Sequence, residues 1–471
     1  MTEEVAGVLA QISGFVGVPE AGFRLLLGIL SGYPLALIYR KYLYNKPAEV
    51  QSLYFAVTGV CVGYWNFGAD IFHCALSILI SYCTITFLNG SALSVVIIFV
   101  FNFVYLMMGY YYASTEQYDI NWTMPYCILC LRLIGVAFDV YDGQQQAENL
   151  SSDGKYHALK TVPSLVELFG HCMFPTAFLV GPQFPMRRYL DFVGGKYCPK
   201  DANGKLSPTD SVSASLRKFI YGVAYLAIFQ SLSFFVSDDY ILSEEYANLG
   251  FIKKMILLGV WGRFTLYKYI SCWLLTEGAC ILFGVAYNGE KNGVTHWDGV
   301  ENVKLSVFEN TTEFNHYIMS FNTNTNQWIA RYIYKRLKFF GNKNVSQFAA
   351  LLFLAAWHGV HSGYYLTFLF ELVVMYMERE VKSIVKSNER LSRFFRDPNV
   401  KLVRNLVLRL YTFVFMGWSL LPFALLTWQR YWIAFANCNY AGFLLFWLWP
   451  IVYAPLLRFV FAKDPPLADG K

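Results

Sequence analysis

The residues best placed to do chemistry are two histidines inside an apolar run. Ala355-Ala356-Trp357-His358-Gly359-Val360-His361-Ser362-Gly363 interrupts the otherwise apolar stretch 346–377. Counted from Ser346 as a helix, His358 lies about 18 Å along, near the midplane of a bilayer. An ionisable group at that depth is costly and points to function by default. The competing reading is a neutral histidine hydrogen-bonded between helices. Gly359 and Gly363 favour function, because they remove bulk on either side as a narrow substrate passage requires. An uncharged imidazole there can take a proton from a hydroxyl. His361, one turn on, is expected to share a face with His358. No glutamate follows the first histidine as in HExxH and no carboxylate is close by in sequence, so no metal site is expected.

A second candidate precedes the histidines. Ser320-Phe321-Asn322-Thr323-Asn324-Thr325-Asn326-Gln327-Trp328 sets three asparagines at alternate positions, a pattern suited to a loop or helix cap. From about Gln327 the pattern turns helical and amphipathic. Arg331, Lys335 and Lys338 then fall on one face at i, i+4 and i+7. Such a face either rests on anionic headgroups or forms a cationic mouth that attracts phosphates, and both can hold together. Arg132, Asp139, Glu167 and Glu277 stand in apolar surroundings and are expected to be paired as structural anchors. The ten cysteines are scattered, mostly in apolar runs, and Cys127-x-x-Cys130 lacks the polar setting of a redox or zinc motif, so inert thiols are expected. No P-loop, GxSxG elbow or HxxxxD box occurs, which weighs against ATP coupling and serine-esterase chemistry.

The elements that must position these residues are membrane helices. Charged residues make up 15% of the 471, where a soluble protein carries about 25%. Hydrophobic residues make up 56%, and the apolar runs are of bilayer-crossing length. About eleven membrane-embedded segments are expected. They include separate runs near 251–261 and 264–287, and one broken excursion over 346–377. The net charge of +6 is spread along the chain, which suits contact with anionic lipid and gives no footprint for nucleic acid. Residues 331–343 carry five basic residues and no acid, and 378–404 carry eight against four acids; both read as cytoplasmic. No cleavable signal is evident, so the first apolar run is expected to direct insertion. Among five N-x-Ser/Thr triplets, Asn121 is the best glycosylation candidate. The 58 residues of 288–345 form no long apolar span, yet carry Trp297, Phe308, Phe314, Phe321, Trp328 and Phe339. They are expected to pack against the membrane body, so that 1–471 forms one membrane domain.

At Phe321-Asn322 and Trp357-His358-Gly359, separated by 36 positions from asparagine to histidine, the chain resembles the membrane-bound O-acyltransferase family (MBOAT). The likeness runs from about residue 25 to 460. Trp122-Thr123-Met124-Pro125, Val180-Gly181-Pro182-Gln183-Phe184 and Trp273-Leu274-Leu275-Thr276-Glu277-Gly278 resemble its lysophospholipid acyltransferase branch. The resemblance implies an all-α polytopic fold enclosing an intramembrane reaction chamber. It implies acyl transfer from acyl-CoA to the sn-2 hydroxyl of a lysophospholipid, lysophosphatidylcholine first among them, with long unsaturated chains, in the endoplasmic reticulum. His358 would be the base. Asn322 would orient the hydroxyl or stabilise the oxyanion, and Arg331, Lys335 and Lys338 would meet the coenzyme A phosphates. The lysophospholipid would enter sideways from lipid. No cofactor is expected, acyl-CoA being a co-substrate, and a homo-oligomer stays open. A different acceptor (a sterol, diacylglycerol or a protein) and, further off, a membrane transporter are the alternatives.

Overall fold

The computed structural model describes residues 3–16, 18–116, 119–198 and 210–461. Helices dominate. A two-residue antiparallel ladder, Glu290–Lys291 with Val294–Thr295, is the strand pairing among the described residues. Seven helical stretches there are long and apolar enough to cross a bilayer: Glu20–Tyr42, Ala48–Phe87, Ala92–Ala113, Thr123–Gly143, Val212–Leu242, Pro398–Leu425 and Phe443–Val460. The expected count of about eleven included shorter and more polar segments. Two runs expected to be separate, near 251–261 and 264–287, form one helix of 33 residues, Phe251–Phe283. Gly262 is the one weak point between them, and a single glycine costs a helix only about 1 kcal/mol.

The chain divides into two compact units. One comprises 1–226, 269–303 and 322–346; the other comprises 227–268, 304–321 and 347–471. In the first, helix α1 (Thr123–Gly143) is the core, with 83% of its best apolar window buried. Its Arg132 donates to the carbonyls of His171, Cys172, Ala177 and Pro182 at 2.6–3.3 Å, tying the end of helix Leu165–Cys172, the start of the short helix Ala177–Val180 and the residues after it to α1. Asp139 accepts from the Tyr332 hydroxyl at 2.7 Å. Glu167 closes a capping box with Ser164, satisfying two backbone N–H groups at a helix start. These expected anchors are therefore all paired. Asn121 uses its amide to tie down the start of α1, accepting from the Thr123 N–H and hydroxyl and donating to Ala113. Thr123 is also buried, so this triplet is poorly presented for glycosylation.

In the second unit a helical pair carries the histidines. Helix α2 (Lys343–His358) stops at the histidine, and α3 (Ser362–Ser387) begins four residues later. Gly359 has φ = 145°, a backbone state closed to most L-residues, and this is what breaks the run. α3 packs antiparallel on α4 (Pro398–Leu425). The Gly363 N–H donates to the Leu426 carbonyl at 3.0 Å, and the Phe370 and Trp418 rings meet at 4.7 Å. A Cβ on Gly363 would lie 2.0 Å from the Pro422 carbonyl oxygen. Gly363→Ala should therefore destabilise the protein by about 1–3 kcal/mol, the usual range for overpacking, seen as a lower melting temperature in detergent. Unchanged melting would mean that this contact does not hold the pair together.

Candidate active site

His358 is the last residue of α2. Its ring lies against Phe368 at 5.5 Å, Phe423 at 5.0 Å, Tyr364 at 5.6 Å and Trp357 at 4.8 Å. It is half-buried and has no hydrogen-bond partner among the described residues. An imidazole fenced by rings and unbonded on both nitrogens is available to a substrate hydroxyl. The glycines do something other than open a passage. Gly359 supplies the break, and Gly363 admits the Pro422 carbonyl. The break also overturns the shared face expected for the two histidines. His361 is the extended cap residue of α3, with φ −65° and ψ 136°, so i, i+3 helical spacing does not link the rings.

Asn322, in the first unit, caps the short helix α5 (Thr323–Ile329) in the left-handed conformation, φ 50° and ψ 45°. Asparagine tolerates that state better than other non-glycine residues. Its side-chain amide has no partner among the described residues. The next residues are locked instead. The Thr323 hydroxyl donates to the Glu301 carbonyl at 2.6 Å, and the Asn324 amide donates to the Val300 and Glu301 carbonyls at 3.0 and 3.1 Å. The loop receiving these bonds is itself fixed. Glu277 Oε1 accepts the N–H groups of Asn302 and Val303 at 2.7 and 3.1 Å, while Lys218 reaches Glu277 at 2.7 Å and Glu301 at 3.2 Å. Glu277 is thus paired as expected. Lys218, Glu301 and Asn302 complete a buried polar network that positions Asn322. They were not singled out from sequence, because nothing local links Lys218 to a residue 59 positions away.

The basic segment differs from a plain amphipathic helix. After α5 the backbone widens into a π-turn over Ala330–Tyr334 and tightens into a 3₁₀ turn over Lys338–Phe340. The i, i+4, i+7 stripe is therefore not carried on one regular helix. Arg331 grips Asp153 with two hydrogen bonds at 2.9 and 3.0 Å, and Lys335 adds a third at 3.2 Å. Burial alone would raise the Asp153 carboxyl, but these two cations outweigh it and hold it at about 2. Arg336 pairs with Asp142 at 2.8 Å. Lys338 is exposed, with no ion-pair partner among the described residues.

A histidine thus ends an apolar helix, an asparagine is held by a polar network, and seven helical stretches among the described residues are long and apolar enough to cross a membrane. The chain matches the MBOAT, membrane-bound O-acyltransferase family, over residues 107–421 and belongs to it. It is accordingly a multi-pass membrane enzyme, an O-acyltransferase. A protein named lysophospholipid acyltransferase 5 from Drosophila melanogaster is 42% identical over 468 residues, covering 98% of this chain and 93% of its own length. The mouse protein of the same name is 40% identical, covering 93% and 89%. A Schizosaccharomyces pombe protein named lysophospholipid acyltransferase is 29% identical over 384 residues, covering 79% and 74%.

Proposed function

We propose that this enzyme moves a long, unsaturated acyl chain from acyl-CoA to the sn-2 hydroxyl of a lysophospholipid, with lysophosphatidylcholine a principal acceptor. The observation that carries the reading is the unbonded His358 imidazole at a helix break, walled by aromatic rings, in a chain whose relatives bear the lysophospholipid acyltransferase name. His358 takes the hydroxyl proton as the oxygen attacks the thioester carbonyl. Asn322 orients the hydroxyl or donates to the developing oxyanion. The coenzyme A thiolate leaves, so neither a covalent enzyme intermediate nor a cofactor is needed. The endoplasmic reticulum is the proposed site of action. The test is transfer of labelled acyl groups from acyl-CoA to a panel of lysophospholipids, cholesterol, diacylglycerol and peptide acceptors in proteoliposomes. Label in a non-lysophospholipid product only, or none in any, would overturn the proposal.

In this reading Lys335 and Lys338, with Arg331 behind them, meet the phosphates of the donor. Lys335→Glu and Lys338→Glu should each raise the acyl-CoA KM more than the lysophospholipid KM. Asp153→Asn, which releases Arg331 and Lys335 from their carboxylate, should lower the acyl-CoA KM. Equal shifts for the two substrates would leave these cations a role at the membrane surface alone.

A further inference from the structure

Two carboxyl groups on one face of α3 are treated differently. Tyr364, Thr367, Phe368, Glu371 and Glu378 share a side of this helix by their spacing. Glu378 is satisfied, accepting the Phe314 N–H at 2.9 Å and the Tyr411 hydroxyl at 3.3 Å. Glu371 lies two turns nearer His358, roughly 10 Å along the axis. It is half-buried, deep in the fold and without a hydrogen-bond or ion-pair partner among the described residues. The Thr367 hydroxyl, one turn nearer still, is buried and also unpartnered, as is the Ser419 hydroxyl on α4. The contacts of Phe370 with Trp418 and of Tyr364 with Phe423 set the register of the antiparallel pair, so Ser419 stands near the level of Phe368 and Leu369, between Glu371 and the histidine. Phe423, one turn from Ser419, and Phe368, next to Thr367, both touch the His358 ring. Unpaired polar groups thus form a line leading away from the histidine, where buried polar groups are normally paired.

That line runs along α3 toward its C-terminal end, in the basic segment 378–404 that the charge rule places in the cytosol. A donor arriving from the cytosol would follow it. No lysine or arginine stands on this face between His358 and Glu378, so the line does not suit a phosphate. It suits a narrow uncharged chain bearing amides, whose N–H groups need acceptors and whose carbonyls need donors.

We propose that Glu371, with Thr367 and Ser419, holds the amides of the pantetheine arm of acyl-CoA while the thioester lies at His358. The assignment rests on the reading of the chain as an acyl-CoA-dependent transferase. The test uses the full-length enzyme in nanodiscs, one lysophospholipid acceptor and three donors with the same acyl chain: the coenzyme A thioester, the pantetheine thioester and the ethanethiol thioester, which has no amide. Glu371→Leu should lower kcat/KM about tenfold for the first two, the worth of one hydrogen bond, and leave the third unchanged. Glu371→Gln, which still donates and accepts, should stay within about threefold of wild type for all three. Thr367→Val and Ser419→Ala should show the same donor pattern at smaller size, and they carry the test if Glu371→Leu does not fold. Equal losses on all three donors, or a loss that follows the acceptor headgroup, would overturn the assignment. A wild-type enzyme that uses no acyl-CoA would instead overturn the transferase reading beneath it.

Discussion

His358→Ala should lower kcat by about two to four orders of magnitude, the range general-base help contributes, while the protein still folds. The ring makes contact with Trp357, Tyr364, Phe368 and Phe423, but it bonds to nothing among the described residues. Removing it therefore strands no buried donor or acceptor, and the stability cost is that of a partly filled cavity. His358→Gln preserves size and polarity without basicity, and should be as inactive as the alanine variant. Rates come from labelled acyl-CoA and folding from thermal melting in the same detergent. Wild-type turnover by either variant would remove His358 from the chemistry. Loss of folding in both would mean that the ring serves the packing of α3 and α4.

His358 and Asn322 stand out in the sequence as candidates because each breaks a local rule. A histidine halfway along an apolar run and three alternating asparagines ask for explanation before any fold is known. The need to pair Glu277 was legible for the same reason. Its partners were not. Lys218 and the loop at Asn302 reach it from 59 and 25 residues away, and Asp153 meets Arg331 across 178. Periodicity carries no information on such pairings, so Arg331 and Lys335 looked like open cations. Glycine was misread in a different way. At Gly359 and Gly363 sequence says only that bulk is absent. The backbone angle of one and the close carbonyl beside the other decide that the absence serves a break and a helix contact. The break then separates two histidines that ideal helical spacing would have placed together.

Asn322 and Asn324 look alike in sequence and should respond in opposite ways. Asn322→Gly removes an amide that bonds to nothing among the described residues, and glycine accepts the left-handed backbone at φ 50° without strain. Turnover should fall by about two to three orders of magnitude, the effect of losing a donor to a developing oxyanion, with the melting temperature nearly unchanged. Asn324→Ala, by contrast, withdraws the donor that serves the Val300 and Glu301 carbonyls, and so loosens the loop that Glu277 and Lys218 hold. It should lower the melting temperature first and turnover only as the position of Asn322 blurs. Lys218→Met extends the contrast: it leaves the buried Glu277 without its cation, a change worth about 3–5 kcal/mol of stability, whereas Lys218→Met with Glu277→Gln removes the stranded charge and should recover much of that loss. If Asn322→Gly turns over at the wild-type rate, or if Asn324→Ala is the variant that loses activity without losing stability, the roles of the two asparagines are reversed and the network positions a different residue.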